Sequence, residues 1–571
     1  MPESTLRAAA AAVLLSAVSL CGAAEPAGTE ADPPAHSKVR RTDVPSLPGY
    51  RAPLKTRAAD TRVEPFAPGP DTRAAILGPT QEQLERIAAR APGSAALLSA
   101  NSYLTLPYDP NVILAGHLLR RAGFGSNPKE IKKVAKKPLT KWIDKQLNPD
   151  KISDAMVNAQ LPPPPADPSD DYDWIRRWYI RMAITPRQLQ EKLTLIWHEH
   201  FAVSNEKVGY GQFMADYETL LRKHSLGTFR DMLVDITRDQ AMLIWLDNDY
   251  NDGTSSEPPN ENYAREFMQL FSTGTTQLNL DGSQALDGSG NAVPAYSEND
   301  VREIARAMTG FYVPYPYKPN NSDFDPSIHD AGSKTIMGVT LPGRSGVDGA
   351  LEVDDVVDLI LAQRQTTVAA FISKALIQKL ATETPTPQYV SDVASEFVAT
   401  GGSIKAVVRA ILVHPEFTSP AVVRSQLKEP IEQYLNAVRA FNAPTGGDAL
   451  IEWTYDSGQL IYYPPSVFSF YPPGQKGVLL NTAMVFQRDE VADEFTRASH
   501  DTWLDVSKLR KAGKFKTSDA AVDYISDALL TAPLQTEYRT EVLNYMNGEI
   551  TDDKVKGAVW LILCSPDFQV N

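Results

Sequence analysis

A chain of 571 residues, 43% hydrophobic and 22% charged, has ample interior for a core. Its formal charge of −14 argues against a polyanionic partner, because proteins that grip phosphate backbones carry a basic footprint. Nucleic acid is therefore not an expected ligand.

The N-terminus carries Arg7, an apolar run from Ala8 to Leu20, and Gly22-Ala23-Ala24 before Glu25-Pro26, the pattern of a secretory signal with small residues before the cut. Cleavage is predicted near Ala24, and a periplasmic or secreted location follows. Lipid anchoring through Cys21 is the lesser alternative, because Leu20 stands where a small residue is expected. Signal removal would leave Cys564 as the sole cysteine, so no intrachain disulfide is expected, and its apolar neighbours predict a buried thiol. No later stretch approaches 18 consecutive apolar residues, so no transmembrane segment is expected after the signal.

Residues 25–100 read as a flexible Pro/Arg-rich tether and N-terminal arm, with one helix around Gln81–Ala91. From residue 101 to 571 the reading is mainly α, a single large multi-helix domain with a few short hairpins. Helical periodicity predicts Val112–Ala122, Pro128–Val134, Leu139–Gln146, Trp174–Ile184, Arg187–Phe201, Phe229–Leu246 and Asn262–Thr273. It continues through Asp300–Thr309, Leu351–Leu361, Val368–Leu380, Gln388–Thr400, Ile404–Leu412, Pro430–Phe441 and Ala520–Leu530. Short hairpins are predicted at Lys334–Val339 and within Leu278–Val293. Ser297 three residues before Asp300 predicts a helix cap, and Gly401-Gly402-Ser403 a stop followed by a start.

Three stretches carry candidate chemistry. Asn260–Gly274 reads as a helix capped by Asn260 and ended by a left-handed Gly274. At about 100° per residue, Glu261, Asn262, Arg265, Glu266 and Gln269 share an arc of roughly 140°, opposite Tyr263, Phe267, Leu270 and Phe271. The polar face is either a solvated surface with an i,i+4 Glu–Arg pair or the wall of a cleft. Trp197-His198-Glu199-His200-Phe201 offers two imidazoles; on a helix they point about 200° apart and cannot chelate one ion together, whereas an extended segment would bring both to one side and revive a metal site. His200 falls on an apolar face, which predicts a core role, whereas His198 is equally open to core and cleft. His329-Asp330-Ala331-Gly332-Ser333-Lys334 is a loop with acid–base side chains. The oxygen-rich run from Asp247 through Asn251 to Gly253 fails the EF-hand spacing and reads foremost as a turn, with a calcium loop as the alternative. No G-x-S-x-G elbow, Walker loop, haem-attachment site or dinucleotide fingerprint appears in a supporting context.

Together, His117–Gly125, the Trp197–Phe201 box, Asn260–Glu266 running to Gly274, Asp300-Val301 with Thr309-Gly310, His329–Lys334, and Tyr463-Pro464-Pro465-Ser466-Val467 followed by Asn481-Thr482 resemble the bacterial domain-of-unknown-function family 1800. The resemblance covers roughly residues 110 to 571 and implies one large helical domain and export. It also implies a partner, because such proteins are commonly encoded beside sulfatase-like exported proteins. No established activity comes with it.

The functional expectation from these residues is a hydrolase-like envelope enzyme. Glu261 or Glu266 would act as general base, Arg265 would hold an anionic group or orient a glutamate, and His198 and His329 would transfer protons. A divalent metal would fall to His198, His200, Glu266 and His329, with Asp247 and Asn251 as a second candidate pair. The alternative is a non-catalytic scaffold, or a binding partner of the sulfatase-like protein, in which the Glu, Arg and His set is a buried structural network.

Overall fold

The computed structural model describes residues 109–314, 322–471 and 476–571. The predicted signal, tether, Cys21 and helix at Gln81–Ala91 lie outside them. Within them the chain is mainly helical, and one hydrophobic cluster runs from Leu118 to Phe568 around the fully buried Trp178, Trp197 and Trp453. Among the described residues no helix is long and apolar enough to cross a membrane.

Local chemistry sets the helix ends. In α1 (Pro110–Arg121) the Asp109 carboxylate accepts from the Asn111 amide and Pro110 occupies the first turn, where its missing N–H costs nothing. The helices α2 (Tyr172–Ile184), α3 (Gln188–Phe201) and α4 (Gly211–His224) follow, the last absent from the sequence reading. The helix expected over Phe229–Leu246 is two, α5 (Phe229–Thr237) and α6 (Gln240–Trp245). Asp239 divides them: its side chain accepts the Met242 amide and so starts a new helix.

The Asn260–Gly274 stretch also differs from a plain helix. It opens as α7 (Asn262–Glu266) and continues as a π-helix over Phe267–Ser272. Its buried residues are Tyr263-Ala264, Phe267-Met268 and Phe271-Ser272-Thr273. Ser272 and Thr273 hydroxyls return to the Phe267 and Met268 carbonyls at 2.6 and 2.9 Å, and Gly274 ends the stretch at φ +72°, as expected. Asn260 acts one position earlier than a cap, taking the Asn262 amide at 2.9 Å.

Ser297 and Asp300 form a reciprocal capping box at the start of α8 (Glu298–Ala307). Two hairpins follow: β1 (Phe311–Tyr312) with β2 (Asp323–Phe324), and β3 (Lys334–Ile336) with β4 (Val339–Leu341). The second turns through Met337 and Gly338, both at positive φ, the two-residue turn that matches strand twist. The segment Leu278–Val293 holds only isolated bridges, Leu278 with Gln284 and Leu286 with Ala292. The C-terminal half adds α9 (Glu352–Gln363), α10 (Gln365–Leu380), α11 (Pro387–Ala399), α12 (Ile404–Val413) and α13 (Pro430–Phe441). Further helices include α14 (Thr482–Arg497), α15 (Ser518–Leu529) and α16 (Asp552–Leu563). Cys564 is buried, its thiol 3.3 Å from the Asp489 carboxylate.

Candidate functional site

Helix α3 is buried on nearly every face, so its charged residues must find partners inside the protein. Successive side chains of the Trp197–Phe201 box leave it in three directions. His198 is enclosed by the rings of Trp178, Tyr217, Tyr462 and Phe470, and its Nε2 accepts the Tyr462 amide at 3.1 Å. Burial pushes its pKa down to about 3, so the ring is neutral. His200 turns to the π-helix, where its Nε2 donates to the Phe271 carbonyl at 3.0 Å, and burial lowers its pKa to about 4.

Glu199, between them, enters the densest ionic cluster of the molecule. Its carboxylate lies 2.7 Å from Lys379 Nζ of α10 and accepts the Gln459 side-chain amide at 3.2 Å. Lys379 also reaches Glu429 at 3.1 Å, Gln459 donates to Glu429 at 2.6 Å, and Lys476 lies 3.0 Å from the same carboxylate. Glu429 and Glu432 form the capping box of α13, so the first turn of that helix delivers two carboxylates inward. Glu432 pairs with Lys192 of α3 and stands 3.9 Å from Arg121, which also donates to the Lys379 carbonyl at 2.7 Å and to Gln426 at 2.5 Å. Three carboxylates and four cations thus meet inside the protein.

The surroundings split the three acids. Burial and the neighbouring Glu429 carboxylate raise Glu199 to about 7, against the pull of Lys379. Burial would raise the other two as well, but Lys379, Lys476 and Lys192 hold Glu429 well below the usual range, and Lys192 with Arg121 holds Glu432 at about 2. The cluster can therefore hold one proton near neutrality. It lines neither the open cleft at Asp247–Asn260 nor the small void beside Trp453.

The other predicted residues fall elsewhere. Arg265 makes a two-pronged contact with Glu298 at 2.8 and 2.7 Å and meets Glu261 at 3.0 Å, while Arg302 stands 3.7 Å from Glu261, all partly or well exposed. Glu266 is half-buried, and burial raises its carboxyl above the usual value. His329 is buried, its Nδ1 near the Thr309 carbonyl (3.0 Å) and its Nε2 3.4 Å from Glu352, which also takes Lys334 at 2.5 Å. Asp330 beside it is clamped by Arg306 at 2.6 and 3.1 Å. Asp247 meets Lys207 at 2.6 Å, and Asn251 is a latch: it donates to Asn248 and the Asn260 carbonyl and accepts the Asn260 amide at 2.8 Å.

The three stretches are neighbours as chain. His200 ties α3 to the π-helix, Asn251 ties the oxygen-rich loop to the start of α7, and the Gly253 amide donates to Ile328 at 2.8 Å. A side chain at Gly253 would strike the Asp330 backbone, which is how the two loops come so close. No hydrogen bond or ion pair links His198, Glu266 and His329 to one another. Among the described residues no three His, Cys, Asp or Glu side chains are grouped to hold an ion, those of His198, His200, Glu266 and His329 included. Glu199, Lys192, Lys379, Glu429, Glu432 and Lys476 carry the convergence instead. The sequence of α3 carried no signal for it, since Gln188–Phe201 mixes polar and apolar residues and only the tertiary fold buries them together.

Fold and cluster together define a mainly helical protein with a largely buried ionic cluster. The chain belongs to the family described as protein of unknown function (DUF1800), which matches residues 117–570. No curated protein and no solved structure matches it.

Proposed function

We propose that this protein is a non-catalytic scaffold or binding protein of the cell envelope. The observation that carries this reading is that its convergent charged groups are mutually paired, with Glu199, Glu429 and Lys476 buried and Lys379, 18% exposed, bridging two of them, as a structural lock requires. The histidines support it as well, since His198, buried, and His200, partly buried, are both neutral and each accepts or donates one backbone hydrogen bond. The envelope location rests on residues 1–24, and a sulfatase-like partner on the family resemblance alone. The hydrolase reading keeps one favourable observation, the half-buried Glu266 carboxyl with its raised pKa.

The test is turnover of purified protein on chromogenic ester, amide, glycosidic, phosphate and sulfate substrates, alongside melting of Glu199→Gln. No turnover and a lowered melting temperature are expected. Turnover abolished by Glu266→Gln, with that variant melting like the parent, overturns the scaffold reading.

A further inference from the structure

An open cleft has a volume of about 590 Å³, within the size range of small-ligand sites. Its wall is the loop Asp247–Asp252 together with Ser255, Glu257, Pro258 and Asn260. Tyr250 dominates this wall. It is 59% exposed, and its ring lies 5.3 Å from that of Tyr312 at an angle of 35°.

The position is unfavourable on two counts. Tyr250 has φ +56° and Asp247 φ +60°, a left-handed conformation that costs a side-chain-bearing residue free energy. An exposed ring returns none of that cost by burial. The surroundings nevertheless hold the loop rigidly: the Tyr250 amide donates to Phe311 at 3.0 Å, the Val313 amide to Asp249 at 2.7 Å, and Asn251 latches to Asn260. A ring held outward at a cost to the fold is positioned for something other than folding.

We propose that this cleft binds a neutral saccharide chain. The Tyr250 face stacks on the C–H face of a pyranose ring, an apolar surface edged with hydroxyls, while its phenol tip stays in water. Asp249 and Asp252 each have one oxygen committed to the loop, to the Val313 amide and to Thr254, which fixes the carboxylate and leaves the second oxygen to accept sugar hydroxyls. Glu257 and Asn260 are exposed on the same wall. Four carboxylates against one lysine repel sulfated and uronate chains, and the same carboxylates are not grouped to hold a metal ion. The site deepens the binding-protein reading and rests on it.

Saturation-transfer NMR and calorimetry on the signal-free chain decide the matter, with cellotetraose, maltotetraose and N-acetylchitotetraose as probes and tetragalacturonate and spermine as comparators. At least one neutral tetrasaccharide binds. Tyr250→Gly, which removes the ring and suits the backbone conformation, weakens it at least about tenfold without lowering the melting temperature. Asp252→Asn weakens it as well, and tetragalacturonate does not bind. Binding of none of the neutral chains, equal binding by Tyr250→Gly, or binding of spermine alone overturns the proposal. Cleavage of a bound tetrasaccharide would instead overturn the scaffold reading and leave the site standing.

Discussion

Replacing Lys379 by Met removes the ammonium shared by two buried carboxylates, Glu199 at 2.7 Å and Glu429 at 3.1 Å, whose side chains are 4% and 5% exposed. Glu429 keeps Lys476 and Gln459, whereas Glu199 keeps only the Gln459 amide. Breaking a buried pair from one side costs about 3–5 kcal/mol, because a desolvated charge is left behind. Unfolding entropy of about 2.1 cal/mol/K per residue over roughly 450 residues gives about 1 kcal/mol/K, so the melting temperature should fall by about 3–5 °C. Calorimetry at pH 7 measures this. The double variant Lys379→Met/Glu199→Gln should recover at least about 1 kcal/mol relative to the sum of the single changes, because the stranded charge is gone. A single-variant loss under about 1 kcal/mol, or strict additivity in the double, refutes the reasoning.

The same centre makes stability depend on pH. Glu199 rises from 4.5 to about 7 on folding, so the folded state binds the extra proton and stability is lost as pH climbs through that window; denaturant titrations of Glu199→Gln should lack this loss. His198 moves the other way, down to about 3, so its contribution is complete above about 6.5 and declines as pH falls; its imidazole NMR shifts should stay constant from pH 5 to 8. His200→Phe should cost about 1–3 kcal/mol, since the Phe271 carbonyl of the π-helix loses its side-chain donor, and an unchanged chemical melting midpoint would count against that role. Arg265→Ala should cost under about 1 kcal/mol, because its carboxylate partners are exposed to solvent.

Within-element features were largely legible. Pro430–Phe441 and Leu139–Gln146 match the observed helices to the residue, the first because Pro430 opens its first turn. The Ser297–Asp300 box and the Lys334 hairpin were equally readable, as their chemistry is local. The break at Asp239 was missed because a polar residue on a helical pattern passes for an exposed one until its cap is seen. The π-helix was missed because a fixed 100° step assumes i→i+4 bonding along the whole segment. The candidate chemistry failed to converge for a different reason. A helical wheel ranks the side chains of one element, but the partners of Glu199 and Lys192 lie 260 and 240 positions away, in Gln459 and Glu432. Their identity depends on tertiary closure, and no spacing rule encodes it.

Those separations bear on how the chain reaches its fold. Helix α3 is synthesised in the first half of the protein, yet Lys192 and Glu199 have counter-ions or amide partners only beyond residue 375. Arg424 likewise pairs with Asp567, 143 residues further on. An amino-terminal fragment would have to bury bare ions, which forbids it an independent compact state. Closing such long loops is entropically slow. The native interior around α3 therefore cannot be completed until the segments from Lys379 to Glu432 have joined it.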